Sequence, residues 1–227
     1  MTFQATDGTA PLVLDRRTGP HGEVVLRRRK DTYEIIVNGC FLMDTSDGRS
    51  ERLLVDAALE RVTAADPAIL IGGLGVGFSL AHASGQSRWS RIVVAEREDA
   101  VIGWHRAGPL SAFTATALSD PRVSVLHTDL NDHLRAPGEP YDALCLDIDN
   151  GPDWTVTDGN QSLYSPSGLA ACRARLAPGG MLAIWSARPS SAFERALERA
   201  GFEDVHTQEV RVARGVPDAV HLARSPV

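Results

Sequence analysis

The sequence predicts an α/β protein: a mostly parallel sheet with helices on both faces, preceded by a small β appendage. Three observations carry this. Short apolar runs such as Ala68-Ile69-Leu70-Ile71 and Tyr141 to Leu146 have the unbroken hydrophobicity of strands buried on both faces. These runs alternate with helix-like stretches, which is the pattern of repeated β-α-β crossovers. A glycine-rich turn, Gly72-Gly73-Leu74-Gly75-Val76-Gly77, joins the first such run to a helix.

Taken in order, residues 1–20 are polar and contain Gly8, Pro11, Gly19 and Pro20, so a loose lead is expected there. Residues 21–48 form the appendage, with β-rich runs at Glu23–Arg27, Tyr33–Val37 and Cys40–Met43. Asn38-Gly39 between the last two is a tight-turn signal. The main domain spans 49–227. Ser50 is the expected N-cap of a helix through Glu60. Further helices are expected at 78–84, 100–106, 131–134, 167–176 and 192–200. Strands are expected at 68–71, 91–95, 123–126, 141–146 and 181–185, and Val205–Val212 with Ala219–Ala223 reads as a closing antiparallel pair.

Composition narrows the function classes. Lys and Arg total 23 against 29 Asp and Glu, a formal net charge of -6. That balance argues against a nucleic-acid partner and permits a cationic one. The three cysteines, Cys40, Cys145 and Cys172, make no CxxC pair and no even set, so a reducing, cytoplasmic setting is expected. The start of the chain lacks a signal-peptide pattern, and no uncharged apolar run is long enough for a membrane helix. The seven histidines show no paired ligand spacing, so no metal is expected. GxSxG and GxxxxGK[ST] are both absent.

Ligands of open α/β sheets sit beyond the carboxyl ends of the strands. That rule singles out the turn from Gly72 to Gly77, Glu96, Asp129, and Asp147 to Pro152. The glycines Gly72, Gly73, Gly75 and Gly77 allow a tight turn and close approach of a ligand to the main chain, or serve packing alone. Their spacing is GxGxG, with Phe78 where a dinucleotide fingerprint would place its last glycine. Glu96 ends the next strand, where a carboxylate can accept two ribose hydroxyls. Asp129 ends the third, in reach of an adenine amino group. The alternative for each acid is a solvated strand end or a helix cap.

Ile69 to Gly77, Val93 to Glu98, Val123 to Leu134, Tyr141 to Pro152 and Leu176 to Trp185 together resemble the successive motifs of spermidine synthase-like proteins, within the class I methyltransferase-like fold. The resemblance covers residues 22–225. It implies a nucleoside pocket lined by Gly73, Glu96, Asp129 and Asp147, and hence S-adenosylmethionine or its decarboxylated form as the cofactor. It implies that Asp147 takes a proton from an attacking amine and that Asp149 helps to hold the acceptor. It also suggests a homodimer paired through the appendage. Asp147 and Asp149 have a second reading, as turn residues bonded to local backbone. Asn150, Trp154 and Tyr164 fall in the long polar loop 153–164 and beside it, where they would line or close the pocket; the aromatics have a second reading, as anchors of the loop to the core.

Two departures shift the expected chemistry. Spermidine synthases carry an Asp in the glycine turn, implied to grip the aminopropyl amine, and Gly75 stands there. The stretch Leu42 to Arg52 lacks the family's Gln and its Tyr or His, while Arg52 is placed to face a carboxylate or simply solvent. Methyl transfer to a small molecule such as an amine is therefore the leading expectation. The alternatives are aminopropyl transfer making a polyamine, and a non-catalytic nucleoside-binding or scaffold homologue.

Overall fold

The computed structural model describes residues 10–157, 159–212 and 216–227. Four strands, β1 (Leu12–Gly19), β2 (Gly22–Arg29), β3 (Thr32–Val37) and β4 (Cys40–Asp44), form an antiparallel sheet in chain order. Asn38 and Gly39 both take positive φ, 50° and 80°, as a two-residue hairpin whose twist matches its strands requires. The loose lead expected over residues 1–20 is corrected across Leu12–Gly19. Those residues pair with β2 from Leu12↔Arg28 to Gly19↔Gly22, with a register shift between Val13 and Asp15. The polar alternation Asp15-Arg16-Arg17 belongs to an edge strand with little burial, so no apolar run marked it. Residues 1–9 lie outside the described residues.

The main sheet contains β5 (Ala68–Gly72), β6 (Arg91–Glu96), β7 (Val123–His127), β8 (Tyr141–Leu146), β9 (Leu176–Ser186), β10 (Glu203–Val210) and β11 (Asp218–Arg224). Their order is β10-β11-β9-β8-β5-β6-β7, and β11 alone runs against its neighbours. Alternate residues of each central strand feed opposite layers. Ile69 and Ile71 join one core cluster, Ala68 and Leu70 the other. Both sets are buried, which is why the strand reads as a continuous apolar run.

The helices are α1 (Arg49–Leu59), α2 (Phe78–Gly85), α3 (Asp99–Ala107), α4 (Ser111–Leu118), α5 (Leu130–Arg135), α6 (Pro166–Arg175) and α7 (Ser191–Arg199), with a 3-10 turn at Asn160–Tyr164. Gly48, not Ser50, is the N-cap of α1. The Phe78 ring sits where a Cβ at 48 would go, at 2.5 Å, so the cap is set by packing. Helix α4 and the 3-10 turn were not foreseen, since α4 buries only Thr114 and Ala117 and shows no apolar stripe. Strand β9 begins at Leu176, five residues before the expected start. Pro178 to Gly180 make an irregularity within the strand, where the register with β8 shifts between Tyr141 and Ala143. Among the described residues no helix is long and apolar enough to cross a membrane.

The N-terminal sheet is fastened onto the main domain at named points. Val24, Leu26, Ile35 and Val37 enter the same core cluster as α1 and β5. Tyr33 meets Phe113 of α4 edge to face, ring centres 5.9 Å apart. The Trp104 indole N–H of α3 donates to Asp15 Oδ2 of β1 at 2.8 Å, and this bond holds the Asp15 carboxyl below its usual range. Trp104→Phe keeps a smaller aromatic ring and removes that donor. It should lower stability to urea, followed by circular dichroism, by about 1–2 kcal/mol, the worth of a hydrogen bond to a charged acceptor. An unchanged unfolding curve would mean that β1 does not lean on α3.

Candidate active site at the strand ends

The strand order reverses between β5 and β8, since the chain leaves β5 toward β6 and β7 and returns to β8 on the other side. Doubly wound sheets open a crevice at such a point. Here Asp147 N–H donates to the Gly72 carbonyl and Gly73 N–H to the Ala95 carbonyl, both at 2.9 Å, drawing the exits of β5, β6 and β8 together. Gly73 has φ +92°, and a Cβ there would lie 2.5 Å from the Asp147 carbonyl oxygen, so both conformation and space demand glycine. Gly77, φ +93°, is the N-cap of α2.

Behind the turn, His105 Nε2 lies 2.9 Å from the Gly75 carbonyl and Nδ1 lies 2.9 Å from Thr114 Oγ1. A carbonyl only accepts, which assigns the proton to Nε2 and makes Thr114 the donor to Nδ1. Burial pushes the His105 pKa down and keeps the ring neutral.

The crevice has a volume of roughly 1000 Å³, counting its open mouth. Its roof is apolar and comes from the N-terminal sheet: Val24, Ile35, Val37, Leu42 and Met43. On the β6 side stand Glu96 and Asp129. Glu96 is 8% exposed; its Oε2 accepts from Leu74 N–H at 2.8 Å and its Oε1 from Glu98 N–H at 2.7 Å. Each oxygen keeps a second lone pair for a ligand. Burial raises the Glu96 pKa, opposed by these two N–H groups. Asp129 caps α5, Oδ1 accepting from Asn131 N–H at 2.8 Å, while its Oδ2 lies 4.0 Å from Arg97 Nη1. It both caps a helix and lines the crevice. Arg97, not foreseen, also lines it and reaches Glu98 at 3.3 Å and Asn160 at 3.4 Å.

The opposite end is acidic. Asp147 is pushed well above the usual carboxylate range, first by burial and then by the charges of Glu51 and Asp218. Glu51 projects from the first turn of α1 and lines the crevice; Asp218 opens β11. Burial raises both of these as well. Trp185 of β9 lines the same end. Sequence reasoning missed Glu51 and Asp218. The signal for Glu51 was present: Leu54, Val55 and Ala58 follow at i+3, i+4 and i+7, which puts the acid on the buried stripe. Asp218 carried none, being one polar residue at a strand start. Among the described residues no group of three His, Cys, Asp or Glu is placed to hold a metal ion.

The other expected site residues divide between the crevice and the protein's own packing. Asp149, φ +62°, lines the crevice and also clamps the neighbouring loop. Its Oδ1 accepts from Asn150 N–H at 3.0 Å and Val156 N–H at 2.5 Å, its Oδ2 from Thr157 N–H at 3.0 Å and Asn160 Nδ2 at 2.8 Å. Four donors fill its capacity. Asn150 is buried away from the crevice, its carbonyl accepting from Ala187 N–H. Trp154 is 58% exposed and does not line the crevice. Tyr164 is buried, its hydroxyl donating to the Ile148 carbonyl at 3.1 Å and its ring edge-on to Phe193, so it anchors the loop. Arg52 is exposed, 5.0 Å above the Phe78 ring, because α1 turns it outward. Gly72 and Gly77 shape the turn without lining the crevice, whereas Gly73 and Gly75 line it. Position 158 of the expected lid is outside the described residues.

No family model matches the chain. In sequence it is similar to polyamine aminopropyltransferase 2 of Ralstonia nicotianae, 24% identical over 193 residues, covering 82% of this chain and 37% of that protein. It is also similar to the polyamine aminopropyltransferase of Mycobacterium tuberculosis, 28% identical over 182 residues, covering 79% and 34%. The chain thus spans about a third of the length of the curated relatives it matches. In fold it is similar to a spermidine synthase in complex with the transition-state analogue AdoDATO, with a TM-score of 0.79 and 14% identity over 95% of this chain and 74% of the other. The spermidine synthase from Thermotoga maritima gives a TM-score of 0.76 at the same identity and coverage. The spermidine synthase-like resemblance and the class I methyltransferase-like fold hold. The expected preference for methyl transfer is overturned, because these relatives are aminopropyltransferases and these neighbours spermidine synthases.

Two outcomes follow from the site. The folded state holds a proton on Asp147 that the unfolded chain releases at the ordinary aspartate value of 3.8, so stability falls as pH rises from there through the raised pKa. Asp147→Asn, which cannot ionise, should melt higher than the native chain at neutral pH by about 2–4 °C per kcal/mol relieved, the gap closing in acid. Equal melting temperatures at pH 7 and above would contradict this. Asp149→Ala should speed hydrogen exchange across 150–160 and lower stability by about 2–3 kcal/mol; an unchanged exchange pattern would free Asp149 from the clamp.

Proposed function

We propose that the chain is a transferase that moves the aminopropyl group of decarboxylated S-adenosylmethionine to an amine. The observation that carries this reading is the acidic end of the crevice: Asp147, half-buried, with Glu51 and Asp218 close enough to shift it. An ammonium entering that end supplies the positive charge that three crowded carboxyls lack, and is held there electrostatically. The sequence likeness to aminopropyltransferases points the same way.

The residues present fit the donor. Gly73 leaves main chain open where a Cβ would meet Asp147, and Glu96 keeps lone pairs free toward the crevice for two sugar hydroxyls. Asp129, Leu130 and Asn131 border the same side and suit an adenine ring. The donor supplies an electrophilic carbon bonded to a sulfonium. The chain's part is to hold the acceptor nitrogen in line, to exclude water with the apolar roof, and to receive the amine proton on Asp147. With the acceptor bound as an ammonium, its charge favours ionised Asp147; that carboxylate takes a proton and frees the nitrogen lone pair, which then forms the C–N bond as the carbon–sulfur bond breaks and the thioether leaves with its electron pair. Gly75 offers no carboxylate, and the Met43 thioether fills the space beside it, so the acceptor amine depends on the Asp147 end.

Calorimetry tests the donor. Decarboxylated S-adenosylmethionine should bind at least about tenfold more tightly than the intact form; the reverse order would sink the proposal. Glu96→Ala should weaken donor binding by about 10–100-fold, the worth of charge-assisted hydrogen bonds. Asp147→Ala should lower turnover by about 10²–10⁴-fold with donor affinity nearly kept.

A further inference from the structure

At the acidic end one hydroxyl stands between two carboxyl groups. Ser50 Oγ lies 3.0 Å from Glu51 Oε2 and 2.9 Å from Asp218 Oδ2, joining the first turn of α1 to the first residue of β11. A hydroxyl has one hydrogen to donate. Either that hydrogen is split between two ionised carboxylates, or one carboxyl carries a proton and donates to Ser50 while Ser50 donates to the other.

The surroundings favour the second arrangement. Glu51 and Ser50 are buried, at 7% and 6% exposure. Asp47 adds negative charge beside the pair, and Asp147, were it ionised, would add more. The cation facing it is Arg49, whose guanidinium is bound to Asp47 at 2.6 to 3.0 Å. From β9 the Trp185 indole N–H lies near Asp218 without a hydrogen bond to it. One nearby indole N–H and one committed Arg do not balance two ionised carboxyls, Glu51 buried and Asp218 half-buried, that share a hydroxyl.

We propose that Glu51, Ser50 and Asp218 share one proton in the empty crevice, and that Asp218, acting through Ser50, is a positioning residue that keeps Glu51 protonated until a cationic amine enters. The entering ammonium replaces the proton's charge, and the proton leaves to solvent. Asp218 thereby tunes how the crevice discriminates charged from neutral acceptors. The amine-linked half rests on the function proposed above; the shared proton in the unliganded chain does not.

Carboxyl carbon-13 NMR titration of the unliganded full chain tests the proton. One signal of the Glu51–Asp218 pair should titrate well above the ordinary carboxylate range, and both titrating within that range would overturn the proposal. Asp218→Asn and Ser50→Ala should each bring Glu51 down toward its ordinary value, while Ser50→Thr, which restores the hydroxyl, should leave it raised. A Glu51 signal unmoved by either loss would remove Asp218 and Ser50 from the relay. If a variant fails to fold, the native titration still decides. Calorimetry with putrescine in buffers of different ionisation heat tests the release. Binding near neutral pH should liberate a fraction of a proton that shrinks in Asp218→Asn; binding with no proton released would overturn the amine-linked half. No binding at all, with the titration as expected, would overturn that half together with the transferase reading and leave the shared proton standing.

Discussion

A single backbone hydrogen bond, Asp147 N–H to the Gly72 carbonyl at 2.9 Å, joins the ends of β5 and β8 where the sheet reverses its winding. It brings a glycine turn and a carboxyl from separate crossovers to one spot. Gly73 makes this close approach possible, because a side chain there would strike the Asp147 carbonyl. The carboxyl of Asp147 inherits its depth from the same bond. The strand that delivers it is buried on both faces from Ala143 to Leu146, so the residue that follows emerges half-buried between packed layers. Desolvation follows from that position, and the raised pKa from desolvation.

The crevice is built by parts that do not belong to the sheet. Its apolar roof comes from β2, β3 and β4, and its second and third acids from α1 and β11. The staple from Trp104 to Asp15 therefore bears on the site as much as the central strands do, since it seats the roof. The clamp at Asp149 plays the same part on the far side, fixing the loop that carries Thr157 and Asn160 to the crevice rim.

What the sequence disclosed divides along physical lines. Strand ends were legible: Glu96 and Asp129 terminate strands whose hydrophobic runs announce them, and the glycine turn is local. Asp149, Tyr164 and Trp154 kept two readings in the sequence because a loop aromatic or a turn acid looks the same whether it faces a ligand or the protein's own backbone. Only the count of donors around Asp149 separates the two. Asp218 was invisible, since its importance lies in a contact with Ser50 across 168 residues of chain. Strand β1 was hidden for another reason: an edge strand with little burial has no hydrophobic period to display.

The contact between Met43 and Gly75 has an evolutionary consequence. Gly75 sits at φ +50°, a backbone state that aspartate and asparagine tolerate better than other side chains. Backbone geometry thus presents little obstacle to an acidic residue in the turn; the thioether of Met43 presents the whole of it. The two positions are yoked across 32 residues, so a lineage moving between a bare turn and a charged one must alter both, and should show them covarying as small-with-large pairs.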